Sequence, residues 1–332
     1  MLELDKQPHR ISKFLARFRG WIQAAATLLT NIHLPNFLSG VLYRGKAKTV
    51  CVPGLNCYSC PAATGACPIG AFQAVVGSSK FRFSYYITGF FILIGVLLGR
   101  FVCGFLCPFG WLQELLHKIP FKKFSTKKLK PLRFIKYGVL LVFVILLPIF
   151  MTNSLGMGDP AFCKYLCPQG VLEGAIPLSL TNVSIRAALG KLFTWKFSIL
   201  IGVIVLSLLF YRPFCKWLCP LGAIYALFNR VSLLKMKVDA DKCISCGKCV
   251  HVCKMDVDVT KHPNHTECIR CGACSKACPT NAICYQYGFQ AEIEQKKTKT
   301  KTKENHHHEK EMDCSAAVGS HDMESDRLRK LR

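Results

Sequence analysis

Eight cysteines in the C-terminal third form two identical ladders, Cys243-x2-Cys246-x2-Cys249-x3-Cys253 and Cys268-x2-Cys271-x2-Cys274-x3-Cys278-Pro279. Thiolates are soft ligands, and this spacing lets the chain grip an iron–sulfur cubane at its corners. In this pattern the fourth cysteine of each run crosses to the other cluster. The expected ligand sets are Cys243, Cys246, Cys249 and Cys278 for one [4Fe–4S] cluster, and Cys268, Cys271, Cys274 and Cys253 for the other. Gly247 and Gly272 fall where the backbone must wrap closely around the sulfides. Lys254 stands where the second run has Pro279, which should alter the local turn and leave ligation intact. Zinc motifs pair C-x2-C units across longer gaps and do not step four cysteines evenly twice. Cys284 lies outside both sets and reads as packing.

A second pattern, C-P-x-G, occurs four times: at Cys67, Cys107, Cys167 and Cys219. Three copies have another cysteine four residues earlier, Cys103, Cys163 and Cys215. The first copy has Ala63 there and Cys51, Cys57 and Cys60 upstream. Cysteines at i and i+4 share one helix face, so Cys103 and Cys107 can ligate one centre. A proline after the second cysteine ends one helix and suits the first turn of the next. That new N-terminus turns N–H donors toward an anionic group. Arg100-x-x-Cys103-x-x-Leu106-Cys107 repeats as Arg212-x-x-Cys215-x-x-Leu218-Cys219. Cys103, Cys107, Cys215 and Cys219 would supply a further [4Fe–4S] site at a membrane interface if the halves pack together, with Arg100 and Arg212 offsetting its charge. The remaining set is Cys51, Cys57, Cys60, Cys67, Cys163 and Cys167. It faces an oxidising side in the topology below, and there a fourth cluster and disulfides both stand as readings.

The rest of the chain must position these thiols. It has 332 residues, 20 of them cysteine, and a formal net charge of +25. The mean hydropathy of +0.27 is too high for an ordinary soluble enzyme. A disulfide scaffold is disfavoured, because the chain is long and no A-x-A-like cleavage site follows the first apolar stretch. Basic residues crowd beside apolar spans, which reads as contact with anionic membrane lipid, with no nucleic-acid partner. Spans are expected at residues 21–43, 83–99, 137–158 and 197–211, each near the about 20 residues that cross a bilayer. Lys118, Lys122, Lys123, Lys127, Lys128, Lys130, Arg133 and Lys136 follow the second span and mark a cytoplasmic loop. Both termini are then inside, with residues 44–82 and 159–196 outside.

The expected division is a basic cytoplasmic N-terminus (1–20), a transmembrane domain carrying the four C-P-x-G motifs (21–237), a ferredoxin-like two-cluster domain (238–290) and a disordered charged tail (291–332). The fold class is an α-helical membrane domain of four transmembrane helices in a duplicated hairpin, plus a small α+β domain of the bacterial two-cluster ferredoxin type. In the tail, His306–His308 reads as a solvated run and Cys314 as a free thiol.

Cys51-Val-Pro-Gly-Leu-Asn-Cys57-Tyr-Ser-Cys60-Pro, the Cys-x3-Cys-Pro pairs and the terminal ladders together resemble the membrane 4Fe–4S binding proteins. That family includes the quinol-dehydrogenase membrane component of periplasmic nitrate reductase systems, a nitrous-oxide reductase maturation protein and an oxidase-assembly copper reductase. The resemblance spans about residues 10–290. It implies a multi-pass inner-membrane protein with membrane redox chemistry on 4Fe–4S clusters, and no covalent flavin. The leading function is electron transfer between a cytoplasmic redox partner and membrane or extracytoplasmic partners, as the carrier subunit of an oxidoreductase system. A narrower version takes electrons from quinol, with His33 in the first span as a headgroup ligand against a plain structural role. Haem is disfavoured, since His33 and His117 sit at opposite ends. The alternative class is an accessory protein that matures a metalloenzyme or senses redox state.

Overall fold

Apolar stretches, helix-breaking Cys-Pro pairs and a short polar C-terminal segment produce a mostly helical chain with one two-stranded sheet. The computed structural model describes residues 8–78, 85–151 and 158–288. The expected tail, with His306–His308 and Cys314, lies outside them. One compact unit covers Met1–Tyr285; a second, Gln286–Arg332, is described only as far as Gly288.

The first helix, α1, runs Pro8–Thr30. This corrects the span expected at residues 21–43. The basic N-terminal segment is already helical, and the helix stops before Asn31, with only a short turn at Asn36–Ser39 beyond it. Within the first half of α1, Arg19 pairs with Glu114 and donates Nε to Gly104 O at 3.0 Å. Next come α2 (Pro68–Gly77), α3 (Tyr85–Leu98), α4 (Phe101–Phe105) and α5 (Pro108–Lys118). A continuous helical run, α6, covers Lys127–Phe150, so much of the expected basic loop is itself helical. Then follow α7 (Phe162–Leu166), α8 (Gly170–Thr181), α9 (Lys191–Leu209), α10 (Pro213–Trp217) and α11 (Pro220–Phe228). Helix α9 begins before the expected start at residue 197.

Among the described residues α6 and α9 are long and apolar enough to cross a membrane. Only 22% of the most apolar window of α6 and 17% of that of α9 is buried, so both present bare apolar surface, as lipid-facing helices do. The core between the helices includes Ile69, Phe91, Val102, Phe109, Val144, Phe162, Phe214 and Tyr225, together with cysteines of both C-P-x-G groups.

The C-terminal segment builds strand β1 (Leu234–Val238), the short helices α12 (Lys248–Val252) and α13 (Ala273–Ala277), and strand β2 (Ile283–Tyr287), which pairs with β1. It is internally repeated at the level of backbone angles. Ser245 and Arg270, the residues before the second cysteine of each ladder, have φ of 51° and 52°. Gly247 and Gly272 follow at 69° and 74°, and Asp256 and Asn281, three residues after the last cysteine, at 53° and 56°. The turn after Cys253 therefore matches the turn after Cys278. Lys254 does not alter it, because proline's fixed φ is one that lysine adopts freely.

Candidate functional site

Each ladder folds around a cavity. One cavity is lined by Cys243, Cys246, Cys249 and Cys278, the other by Cys253, Cys268, Cys271 and Cys274. These are the crossed sets expected from spacing. Backbone donors face the sulfurs: Val257 N–H donates to Cys253 Sγ at 3.4 Å, and Ala282 N–H to Cys278 Sγ at 3.3 Å. Among the described residues every cysteine is free of disulfides, and no His, Cys, Asp and Glu side chains converge on a single metal ion. Thiols spread around a cavity, too far apart for one ion yet supplied with N–H donors, are the donor set a cubane requires. Burial pushes the Cys268 thiol up to about 11, so an anionic thiolate there depends on positive charge beside it.

The inner C-P-x-G cysteines also converge. Cys219 is electrostatically coupled to Cys215, Cys103 and Cys107, and Cys107 to Cys215 and Cys103. Cys107 and Cys219 each take extended backbone angles and cap a helix that opens with proline. The Gly222 N–H then points back at Cys219 Sγ, 3.4 Å away, and the Gly110 N–H at Cys107. Arg100 and Arg212 are fully buried. Their Nη2 groups have no protein partner, and each side chain lies beside the glycine of the other half's motif. Cations with spare N–H groups facing buried thiols fit an anionic cluster.

Gln113 was missed by sequence reasoning. It is almost fully buried, and its Nε2 donates to Cys215 Sγ at 3.2 Å. Gln73 makes the same 3.2 Å contact with Cys163 Sγ. Each glutamine lies six residues after a C-P-x-G cysteine, Cys107 or Cys67, and that shared offset was the available signal.

Of the other six cysteines, four approach one another. Cys163 is coupled to Cys167, Cys67 and Cys57, and Cys167 to Cys57 and Cys67. Cys51 pairs through its backbone with the strand-like segment at Ala66, and Cys60 turns its Sγ to Asn31 Oδ1, 3.6 Å away. This group is not remote from the inner one. A Cβ placed on Gly54 would sit 2.9 Å from Cys107 Cα. Tyr225 donates to Pro53 O at 3.0 Å and is coupled to Cys103 and Cys107 as well as to Cys67 and Cys51.

The two-ladder segment is locked onto the helices by shared carboxylates. Glu267 bridges Arg100 (2.9 Å) and Lys136 (2.5 Å), all but fully buried. The two cations hold the Glu267 carboxyl down at about 2. Asp256 receives Lys216 at 3.2 Å and Arg133 at 3.3 Å. Arg270 donates to Leu98 O and Asn229 O, both at 2.8 Å. The backbones come close at Gly104, beside Cys103, where a Cβ would lie 2.3 Å from Ile269 O, beside Cys268. His33 stacks on Tyr43 at 3.9 Å, and His117 packs edge-on against Tyr211 at 5.5 Å.

Comparison with known proteins fits this chemistry. A 4Fe–4S binding domain model matches residues 65–86, 83–128, 138–176 and 192–239, one C-P-x-G motif in each stretch. A 4Fe–4S dicluster domain model matches residues 235–279. An uncharacterized protein of Methanocaldococcus jannaschii is 31% identical over 204 residues, which is 60% of this chain and 77% of that protein. The methylamine utilization ferredoxin-type protein MauN of Paracoccus denitrificans is 29% identical over 166 residues, 49% of this chain and 50% of its own length. The ferredoxin-type protein NapH of Haemophilus influenzae is 27% identical over 180 residues, 52% of this chain and 54% of its own. The chain thus spans about half the length of these two ferredoxin-type relatives. No solved structure matches it.

Proposed function

The chain belongs to the family of membrane 4Fe–4S binding proteins of ferredoxin type, and from that premise we propose that it carries electrons between a redox partner at the ladder segment and a membrane or extracytoplasmic partner. Iron–sulfur electron transfer is the shared chemistry; the route and the side of the membrane are the reading offered here. Bound clusters supply one-electron exchange. The protein's residues hold them near one another. The observation that carries the reading is the contact of Gly104 with Ile269, which brings the backbone next to Cys103 against the backbone next to Cys268.

In this reading Cys103, Cys107, Cys215 and Cys219 grip a third [4Fe–4S] cluster. Arg100 and Arg212 neutralise it, and the Gly110, Gly222 and Gln113 donors tune it. Helices α6 and α9 cross the bilayer, with the shorter apolar helix α3 beside them. The ladder segment binds the basic residues Arg133 and Lys136, so the positive-inside rule puts it in the cytoplasm with both termini. A nearby quinone remains within the same scheme as one membrane partner.

The test is iron and acid-labile sulfide analysis with EPR on anaerobically purified protein, compared with a Cys103→Ser/Cys215→Ser variant. That variant should lose about four iron and four sulfide per chain and keep the ladder signals. It should also fail to pass electrons from a reduced soluble donor to acceptors in the membrane. Unchanged iron in the variant would refute the inner site.

A further inference from the structure

Cys51, Cys57, Cys60, Cys67, Cys163 and Cys167 lie outside both the ladders and the inner group. We infer that Cys57, Cys67, Cys163 and Cys167 hold an additional [4Fe–4S] cluster, while Cys51 and Cys60 are structural. The inference rests on the reading above and deepens it by assigning one more site and choosing its ligands.

Each of these four thiols lies close enough to the other three for a charge on one to act on the rest, whereas among them Cys51 is near Cys67 alone and Cys60 near Cys57 alone. None forms a disulfide, and they do not converge tightly enough for a single ion. A lone zinc would need all four sulfurs within about 2.3 Å of one point. Both C-P-x-G motifs present donors as the inner ones do. The N–H groups of Gly70 and Ile69 face Cys67, joined by Asn56 from the loop ahead, and those of Gly170 and Gln169 face Cys167. Gln73 is fully buried and donates to Cys163 Sγ at 3.2 Å, the counterpart of Gln113 on Cys215. Lys196 supplies positive charge: its Nζ donates to Cys163 O at 3.0 Å and it is coupled to Cys57. Glu173 takes the Cys57 N–H at 3.0 Å. The motif of each half lies against a cysteine of the other: a Cβ on Gly70 would be 3.9 Å from Cys163 Sγ, and one on Gly170 3.8 Å from Cys57 Sγ, both ordinary contacts. Two motifs from different parts of the chain thus lie side by side, each bringing N–H donors to its cysteine.

The experiment uses full-length protein purified without oxygen, with iron, labile sulfide and EPR as readouts. A Cys163→Ser/Cys167→Ser variant should lose about four iron and four sulfide per chain. A Cys51→Ser/Cys60→Ser variant should lose none. The ladder EPR signals report folding in both. Full iron in the first variant, an equal loss in the second, or a disulfide trapped by alkylation of the unreduced wild type would each overturn the assignment. A Cys103→Ser/Cys215→Ser variant run in parallel separates the two readings. Loss there with none in Cys163→Ser/Cys167→Ser sinks this inference and leaves the inner site standing. If the double variant fails to accumulate, Gln73→Leu decides: retained iron with one altered cluster spectrum supports the site, and an unaltered spectrum overturns it.

Discussion

Replacing Gly104 with alanine tests how the ladder segment sits on the helices. The added Cβ would meet Ile269 O at 2.3 Å, roughly 1 Å inside the contact distance of about 3.5 Å. Neither side can withdraw easily. Gly104 O is held by Arg19 Nε and Gln23 Nε2 at 3.0 and 2.9 Å, and Ile269 is next to Arg270, which is pinned to Leu98 O and Asn229 O. Overpacking of this kind costs about 1–3 kcal/mol. Alanine in a helix otherwise gains up to about 1 kcal/mol over glycine, so the net loss should be about 0.5–2 kcal/mol. Amide hydrogen exchange of the ladder segment in anaerobic protein should quicken about two- to thirtyfold, and dipolar broadening between its clusters and the proposed inner one should weaken. Gly202 in α9 has nothing within 4 Å of its added Cβ, so Gly202→Ala is the control and should be neutral or slightly stabilising. A Gly104→Ala protein with unchanged or slower exchange and intact broadening would refute the close approach.

Other outcomes follow from the same contacts. Glu267→Gln removes the anion shared by two fully buried cations, and denaturant unfolding followed by cluster absorbance should show a loss of about 3–5 kcal/mol. The same variant carries a pH signature. Glu267 is held well below its unfolded value, so its stabilisation is present above the usual carboxylate range and is lost as pH falls toward about 2. Between pH 7 and pH 3 the wild type should therefore lose stability that the variant never had. Gln113→Leu deletes a donor to Cys215 Sγ, and redox titration should show the inner potential lowered by on the order of tens of millivolts, because N–H donors favour the more reduced, more negative state. Iron chelation should make residues 238–285 protease-sensitive while far-UV circular dichroism from the long helices persists, since the small segment depends on its clusters for folding.

The ladder cysteines and their crossed grouping were legible because cluster ligation fixes spacing directly. The inner group was legible too, since the repeated Arg-x-x-Cys-x-x-Leu-Cys frame survives in both halves. The proposed choice among the outer cysteines was not, because Cys60 directly precedes Pro61 and so looks like the motif cysteine, whereas it is Cys57, four residues before Pro61, that lies near Cys163 and Cys167. The start of α1 was misplaced because Arg19, which hydropathy counts as solvent-facing, is spent on Glu114 and Gly104. Glu267 and Asp256 are single acids beside cysteines, and nothing in their sequence neighbourhood marks them as bridges to Arg100, Lys136, Lys216 and Arg133.

Helix α1 has a bearing on how the protein is made. Near its start, Ser12 Oγ meets Ser275 Oγ at 2.7 Å, a partner 263 positions later in the chain. At its end, Thr30 O receives the Thr64 N–H. Helix α1 therefore closes its contacts only once residues from far along the chain are available. Such late closure of distant contacts slows maturation and leaves a window in which the ladder loops are still open to the machinery that delivers iron and sulfur.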